Sequence, residues 1–372
     1  MEDQLFSEAR KLPAVSQAAA SEYRDGISVM KQYVDDELAG NEEVLRLIGY
    51  NDLRLMYSNH RYHADFMSTV FRLNEYELLV RVVVWVYRSY RSRGFSYDYF
   101  PVELRTWQEA VGRTLTPRAS AEINRTYQWM LDQHLSFVKL AESPEYRTLD
   151  FSDNLQETGR TFLSLMLDND PKSCLDLVVA YCHSPEELGD FYMDVVTPCL
   201  YEIGRLWEEG EISAAQEHLA TAVVLRIMSV MYGNFVIGAA MKGRAVIMPS
   251  PHEQHEVGAR MFSDLLEMDG WQVAFLGSQV NPDEVLNALH DIRPYMLGIS
   301  VVMPFHIETA GQLIAKIRTD STLQKIKIMV GGPAFTSAPD LWRVTGADGY
   351  CADSREAVKM ASIWWGAGGE VQ

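Results

Sequence analysis

Short, unbroken apolar runs alternate with amphipathic stretches over the last third of the chain. Residues 245–248, Ala-Val-Ile-Met, are closed at once by Pro249, Ser250 and Pro251, a pattern that predicts a buried strand stopping at a polar loop. Comparable runs at 272–276, 296–300, 326–330 and 349–351 predict four more strands. Between them the apolar positions recur every three to four residues, at 257–268, 282–291, 307–318, 338–344 and 355–364, which predicts helices. This alternation specifies a doubly wound, five-stranded parallel sheet with its ligand crevice at the carboxyl ends of the strands. The first part of the chain reads differently. Residues 1–40 are helical and mostly polar. The helical period then continues over 53–71, 75–90, 101–115 and 120–140 with no strand signal, describing an all-α domain for which a globin-like packing is one arrangement. A linker is expected at 144–154 and a further helical unit at 155–236. The fold class is therefore multidomain, α plus α/β, with boundaries at 1–145, 150–238 and 243–372.

Composition narrows the function classes. The chain has 372 residues, 47% of them hydrophobic, enough for two or three cores. No apolar run approaches the twenty residues of a membrane span, and the acidic start of the chain is unlike a signal peptide, so a cytoplasmic location is expected. The four cysteines, Cys174, Cys182, Cys199 and Cys351, lack zinc spacing and read as reduced thiols. A net charge of −18 argues against nucleic acid as a direct partner. That charge is uneven: residues 51–147 carry 13 Lys and Arg against 11 Asp and Glu, whereas the remainder carries 20 against 40. Twelve of the 13 are arginines, and the same stretch holds 17 of the 40 aromatic residues, so it is both cationic and aromatic.

The loop after the first strand carries candidate chemistry, Glu253-Gln254-His255-Glu256-Val257-Gly258. His-x-x-Gly alone reads as a solvated loop histidine. Two further pieces follow in order, each at a strand end: Ser300-Val301-Val302 and Gly331-Gly332. Together the three resemble the cobalamin-binding domain, whose pattern is Asp-x-His-x-x-Gly, Ser-x-Leu and Gly-Gly. The resemblance implies that His255 is the lower axial ligand of cobalt and that Glu253 holds its other ring nitrogen, a division of labour common at metal sites. It also implies that the glycines, Gly258, Gly331 and Gly332, make room for the dimethylbenzimidazole tail and that Ser300 and Val302 of the second motif are cofactor-binding residues. Glu replaces Asp at 253, and Val replaces Leu at 302.

Some forty residues upstream, Trp207 and the pair Glu217-His218 spell Trp-x9-Glu-His. Alone this reads as a core tryptophan followed by a polar pair on the next helix. Joined to the His255 loop, it resembles the four-helix cap of cobalamin-dependent photoreceptors, implying that Trp207 covers the upper face of the corrin and that Glu217 and His218 contact a 5′-deoxyadenosyl group. In the light-sensing repressors of that family a histidine follows the tryptophan; here Glu208 stands in its place.

Within the arginine-rich stretch, Arg81, Arg88, Arg91 and Arg93 interleave with Trp85, Tyr87, Tyr97 and Tyr99. Such a set reads either as a surface arginine network over an aromatic core or as a site for a flat, conjugated anion. Its histidines, His60, His63 and His134, read as ordinary helical polar residues. An arginine-rich helical domain ahead of a cobalamin cap and sheet resembles the stand-alone photocobilins, photoreceptors holding cobalamin and biliverdin. The resemblance implies bilin contacts at Arg81, Trp85, Arg88, Arg91, Tyr99 and His134. They would be non-covalent, because no cysteine precedes Cys174. The expected function is a light sensor without substrate turnover. It would bind adenosylcobalamin and biliverdin, with light-dependent homo-oligomer assembly read by a downstream protein and no membrane or nucleic-acid contact. The rival from another class is a corrinoid carrier of a methyltransferase system; a third possibility is an antirepressor acting through the helical domain.

Overall fold

The computed structural model describes residues 2–143, 151, 153–235, 242–336 and 339–368. Most of the segment expected to be a linker, 144–154, lies outside them. The chain forms two compact units, one running to residue 146 and including Glu208–Gly210, the other containing the rest.

The first unit is all-α. Its helices are α1 (Glu2–Ala9), α2 (Gln17–Ala39), α3 (Val44–Leu47), α4 (Leu53–Leu73), α5 (Tyr76–Ser92), α6 (Tyr99–Thr114), α7 (Pro117–Asp132) and α8 (His134–Glu142). The helix expected over 120–140 is two, broken at Gln133. The break re-aims the chain so that Phe137 is fully buried against Tyr87, ring centroids 5.7 Å apart, and His134 Nδ1 meets the Tyr87 hydroxyl at 2.9 Å. The core is aromatic, with Trp107, Tyr23, Tyr87, Tyr99 and Tyr127 among its largest buried side chains. Burying so many polar rings requires partners. Tyr23 and Tyr127 share a hydroxyl bond of 2.8 Å, and His60 spans Asp35 (2.6 Å) and the Tyr99 hydroxyl (2.9 Å).

The second unit opens with helices α9 (Gln156–Leu167), α10 (Pro171–Tyr181), α11 (Pro185–Phe191), α12 (Thr197–Glu208) and α13 (Ala214–Phe235). A π turn, Tyr192–Val196, joins α11 to α12, so the cap has four helical rods. Local sequence dictates several helix starts: Thr116-Pro117, Asp170-Pro171, Ser184-Pro185 and Asn281-Pro282 each pair a capping side chain with proline at the first turn. Each side chain accepts a backbone N–H that the helix leaves over, and proline loses nothing there because its missing N–H is one of those orphans.

The sheet follows, with β1 (Arg244–Pro249), α14 (Val257–Met268), β2 (Gln272–Phe275), α15 (Pro282–Ile292), β3 (Met296–Ser300), α16 (Ile307–Thr319), β4 (Lys327–Gly331), α17 (Pro333–Thr336), β5 (Gly349–Cys351) and α18 (Ser354–Gly368). In place of the helix expected at 338–344 there are a 3-10 segment, Pro339–Thr345, and the short α17 before it. All four strand pairings are parallel, in the order β2-β1-β3-β4-β5. The order in which strands are added to the sheet reverses between β1 and β3, so a crevice opens at their carboxyl ends. Gly298 on β3 lets α14 sit close, since a Cβ there would lie 2.7 Å from Ile247 Cδ1 and 2.8 Å from Phe262 Cε1.

Cap and sheet layers share one interior. Val257 and Met261 of α14 belong to the apolar cluster of the cap. Tyr192 donates its hydroxyl to Asp264 Oδ2 of α14 at 3.1 Å, both residues buried. Burial pushes the Asp264 carboxyl up to about 7, against the lowering pull of the Tyr192 hydroxyl and of Arg260.

Two outcomes follow from the packing. Gly332 has φ +105°, and a Cβ would fall 2.3 Å from the Val301 carbonyl oxygen; Gly332→Ala is expected to destabilise the chain by more than about 1 kcal/mol in urea melts. Because Asp264 holds its proton more tightly folded than unfolded, its contribution declines as pH rises from about 4 to about 7. Asp264→Asn should flatten the fall in melting temperature across that window; an unchanged slope would rule out Asp264 as its source.

Candidate functional site

Three loops at the carboxyl ends of the strands converge on the crevice. The loop after β1 turns back on the sheet edge, with Ser250 N donating to Ser300 O at 2.8 Å and Ser250 Oγ to His306 O at 3.2 Å. The loops after β3 and β4 are joined by Val301 N to Gly331 O (2.8 Å) and Ala334 N to Val301 O (3.2 Å). The positive φ of Gly332 allows that approach.

Glu253 sits at the centre and is fully buried. Its Oε2 accepts the N–H groups of Val302 (3.1 Å) and Met303 (2.8 Å) in the β3 loop. Its Oε1 accepts from Gln254 N (3.0 Å), His255 N (3.2 Å) and His255 Nδ1 (2.5 Å). One carboxylate thus bridges two loops. Burial alone would raise this carboxyl; the His255 bond and charge, the Met303 N–H and nearby His306 outweigh it and hold it down at about 2. His255 is raised by its bond to Glu253, opposed by burial and helped by the charges of Glu253 and Glu217. With Nδ1 engaged, Nε2 is the ring nitrogen left for a ligand, on a side chain that is 55% exposed.

Glu217 is thereby placed within electrostatic reach of His255, in the first turn of α13. Its Oε1 accepts from Thr221 Oγ1 (3.1 Å) and its Oε2 meets His218 Nδ1 at 2.6 Å, while the His218 side chain stays 79% exposed. Trp207 is half-buried in the last turn of α12. Glu208, which follows it, groups with the first unit, where it accepts Arg88 Nη1 at 3.2 Å and, through its carbonyl, Ser92 Oγ at 2.7 Å.

The residues expected to hold a bilin are dispersed through the first unit. Tyr99 is in the core on His60, His134 is on Tyr87, Arg81 lies over the Phe6 ring at 4.7 Å, and Arg91 lies over Tyr97 at 5.5 Å. Trp85 is half-buried and, with Arg81 and Arg88, occupies one face of α5.

Several contributors were not legible as site residues. Met303 acts through its backbone N–H, which carries no side-chain signature, and Val302, expected at the cofactor through the second motif, has the further role of donating its N–H to Glu253. Glu256 accepts Ser278 N at 3.3 Å and so ties the His255 loop to the loop after β2. Asp264 did leave a signal, a carboxylate inside the apolar run Met261, Phe262, Leu265, Leu266.

The donor set fits a corrinoid. An imidazole is oriented by a buried carboxylate on its far nitrogen, as a ligating histidine requires. Gly258 borders open space, with nothing within 4 Å of where its Cβ would stand, room that a nucleotide tail would occupy.

Comparison with known proteins agrees. The pattern described as B12 binding domain matches residues 243–360, and a second pattern of the same description matches residues 159–232. The chain is 26% identical over 163 residues to dimethylamine corrinoid protein 2 of Methanosarcina mazei, which covers 43% of this chain and 75% of that one. It is 30% identical over 148 residues to the HTH-type transcriptional repressor CarH of Myxococcus xanthus, covering 39% of this chain and 47% of the repressor. Among solved structures, the monomethylamine corrinoid protein of Methanosarcina barkeri aligns over 56% of this chain and 99% of its own, at 18% identity and a TM-score of 0.49. A helical cap and a five-stranded parallel sheet, with a carboxylate-held histidine where two loops meet, thus make residues 159–360 of this chain a cobalamin-binding module.

Proposed function

We propose that this chain is a light sensor that binds adenosylcobalamin in the module and biliverdin in its helical unit, signalling by a change of conformation and association rather than by turnover. The observation that carries the reading is the Trp-x9-Glu-His spacing, with Trp207 in the last turn of α12 and Glu217-His218 near the start of α13, where the charge of Glu217 acts on His255. When bound, adenosylcobalamin supplies a cobalt–carbon bond that light can break. Everything else belongs to the chain. Glu253 holds the His255 ring so that Nε2 is presented to the metal, and its own pairing keeps it ionised at neutral pH. The indole of Trp207 offers a large apolar surface to roof a bulky upper ligand, and the Glu217 carboxylate can accept ribose hydroxyls.

Trp207 and the start of α13 pack differently with and without that upper ligand. A differential contact energy of about 5 kcal/mol inverts a two-state equilibrium. Tyr201, Leu219, Val230 and Tyr232 are exposed on the cap, apolar surface that supports subunit association as the output. For the bilin, Arg81 and Trp85 share one face of α5 and supply a guanidinium and an indole to a tetrapyrrole with carboxylate arms, while Arg88 on the same face is held by Glu208. All four cysteines lie at position 174 or later, so that pigment is held without a thioether.

The likeness to dimethylamine corrinoid proteins favours a second reading, a corrinoid carrier whose upper face stays open to partner enzymes. The two readings differ at Trp207, which a carrier does not need as a roof.

Glu253→Gln should weaken corrinoid binding by about 10- to 100-fold in absorbance titrations, because an amide nitrogen would face donors the carboxylate now accepts. Unchanged affinity would remove Glu253 from the site. Protein from cells supplied with both pigments should show red absorbance from the bilin, and green light should bleach the cobalamin bands and change the elution volume on size exclusion. A spectrum and elution volume indifferent to light, together with exchange of a methyl group from methylcobalamin, would establish the carrier instead.

A further inference from the structure

The connection between α12 and α13 carries the upper-face residues at its two ends, Trp207 before it and Glu217-His218 after it. Its ends are fixed by their own bonds. The Leu206 carbonyl accepts the N–H groups of Glu211 (2.9 Å) and Ile212 (3.3 Å), closing α12 around Gly210 at φ +76°. Ser213 and Gln216 cap the start of α13 reciprocally, Ser213 N donating to Gln216 Oε1 at 2.9 Å and Gln216 N to Ser213 Oγ at 3.3 Å. A turn closed at both ends moves as one piece, so whatever holds its middle also places the residues beside it.

The middle is held by α5. Glu208–Gly210 pack with the first unit, although Trp207 before them and Glu211 after them belong to the second. Arg88 and Ser92 stand one turn apart on α5 and therefore share a face. Arg88 Nη1 meets Glu208 Oε1 at 3.2 Å, the two side chains only 16% and 12% exposed, and Arg88 Nε donates to Ala141 O at 3.4 Å. Ser92 Oγ donates to the Glu208 carbonyl at 2.7 Å. A Cβ on Gly210 would stand 3.1 Å from Ser92 Cβ and 3.2 Å from Ser92 O, so the backbone of the turn lies directly on that residue. An exposed ion pair would contribute little, whereas removing one partner of a shielded pair leaves a charge unmatched. Glu208 is thus committed to α5 through both its carboxylate and its carbonyl.

We propose that Arg88 and Ser92 are positioning residues for the upper face of the corrinoid site: through Glu208 and Gly210 they set where the indole of Trp207 stands, and so set the preference for a bulky upper ligand over a small one. Arg88 touches no part of the corrinoid in this role and acts only through the tryptophan. This inference rests on Trp207 being the roof; it does not depend on light or on biliverdin.

The test is absorbance titration of the full chain, in the dark and without biliverdin, with adenosylcobalamin and separately with hydroxocobalamin, whose upper ligand is small. Arg88→Gln should weaken adenosylcobalamin about tenfold and hydroxocobalamin less than about twofold, and Ser92→Ala should act in the same direction. Arg88→Lys should restore most of the loss. In a Trp207→Ala background, where adenosylcobalamin is already weakened, Arg88→Gln should add less than about twofold. Equal loss of both cobalamins in Arg88→Gln and Ser92→Ala alike, no loss of either, or a full Arg88→Gln effect in the absence of the indole would overturn the positioning role while leaving Trp207 as the roof. If Trp207→Ala alone leaves the adenosylcobalamin affinity unchanged, both the roof and the inference that rests on it fail.

Discussion

A single buried carboxylate organises the cobalamin-binding module. Glu253 has no exposed surface, yet it remains ionised because four backbone N–H groups and an imidazole close around it. A buried charge that lost these partners would be among the costliest defects a core can carry. The arrangement therefore works in both directions: the loops after β1 and β3 are held by the charge, and the charge is tolerable only because the loops are held. The orientation of His255 follows, since its Nδ1 is committed to Glu253.

The doubly wound sheet makes that convergence possible. In the order β2-β1-β3-β4-β5 the loops after β1 and β3 leave on opposite sides of the switch point. Only there can a side chain from one reach the backbone of the other without an intervening helix. Gly332, at positive φ against the Val301 carbonyl, lets the loop after β4 close the same edge. Above it, Glu217 at the start of α13 adds its charge to the field at His255, so the cap takes part in the electrostatics of the crevice as well as its shape.

The first unit uses a different device. Its interior holds several tyrosines whose hydroxyls are paired among themselves or with histidines, as in Tyr23 with Tyr127 and Tyr99 with His60. Such a core is specific because each polar ring must find its partner. Several arginines noted in the sequence lie over aromatic rings, Arg81 on Phe6 and Arg91 on Tyr97, so part of the cationic and aromatic enrichment is consumed within the unit itself.

Local rules carried the sequence far. Unbroken apolar runs located all five strands, because a strand covered on both faces leaves no polar alternation. The motif around His255 was legible because ligand chemistry demands particular residues at fixed separations. Tertiary structure alone decided the rest. Pro198 marks a break in the rod, since it has no N–H to continue the ladder, but the π register of Tyr192–Val196 and its ties to Arg355 and Asp264, far along the chain, came only with the fold. Likewise, the sequence showed Glu in place of Asp at 253, but only the fold revealed that its carboxylate bridges two loops. That difference is physical: local preferences depend on near neighbours and can be read in order, whereas a buried charge or a bent helix is settled by groups that meet only once the chain has folded.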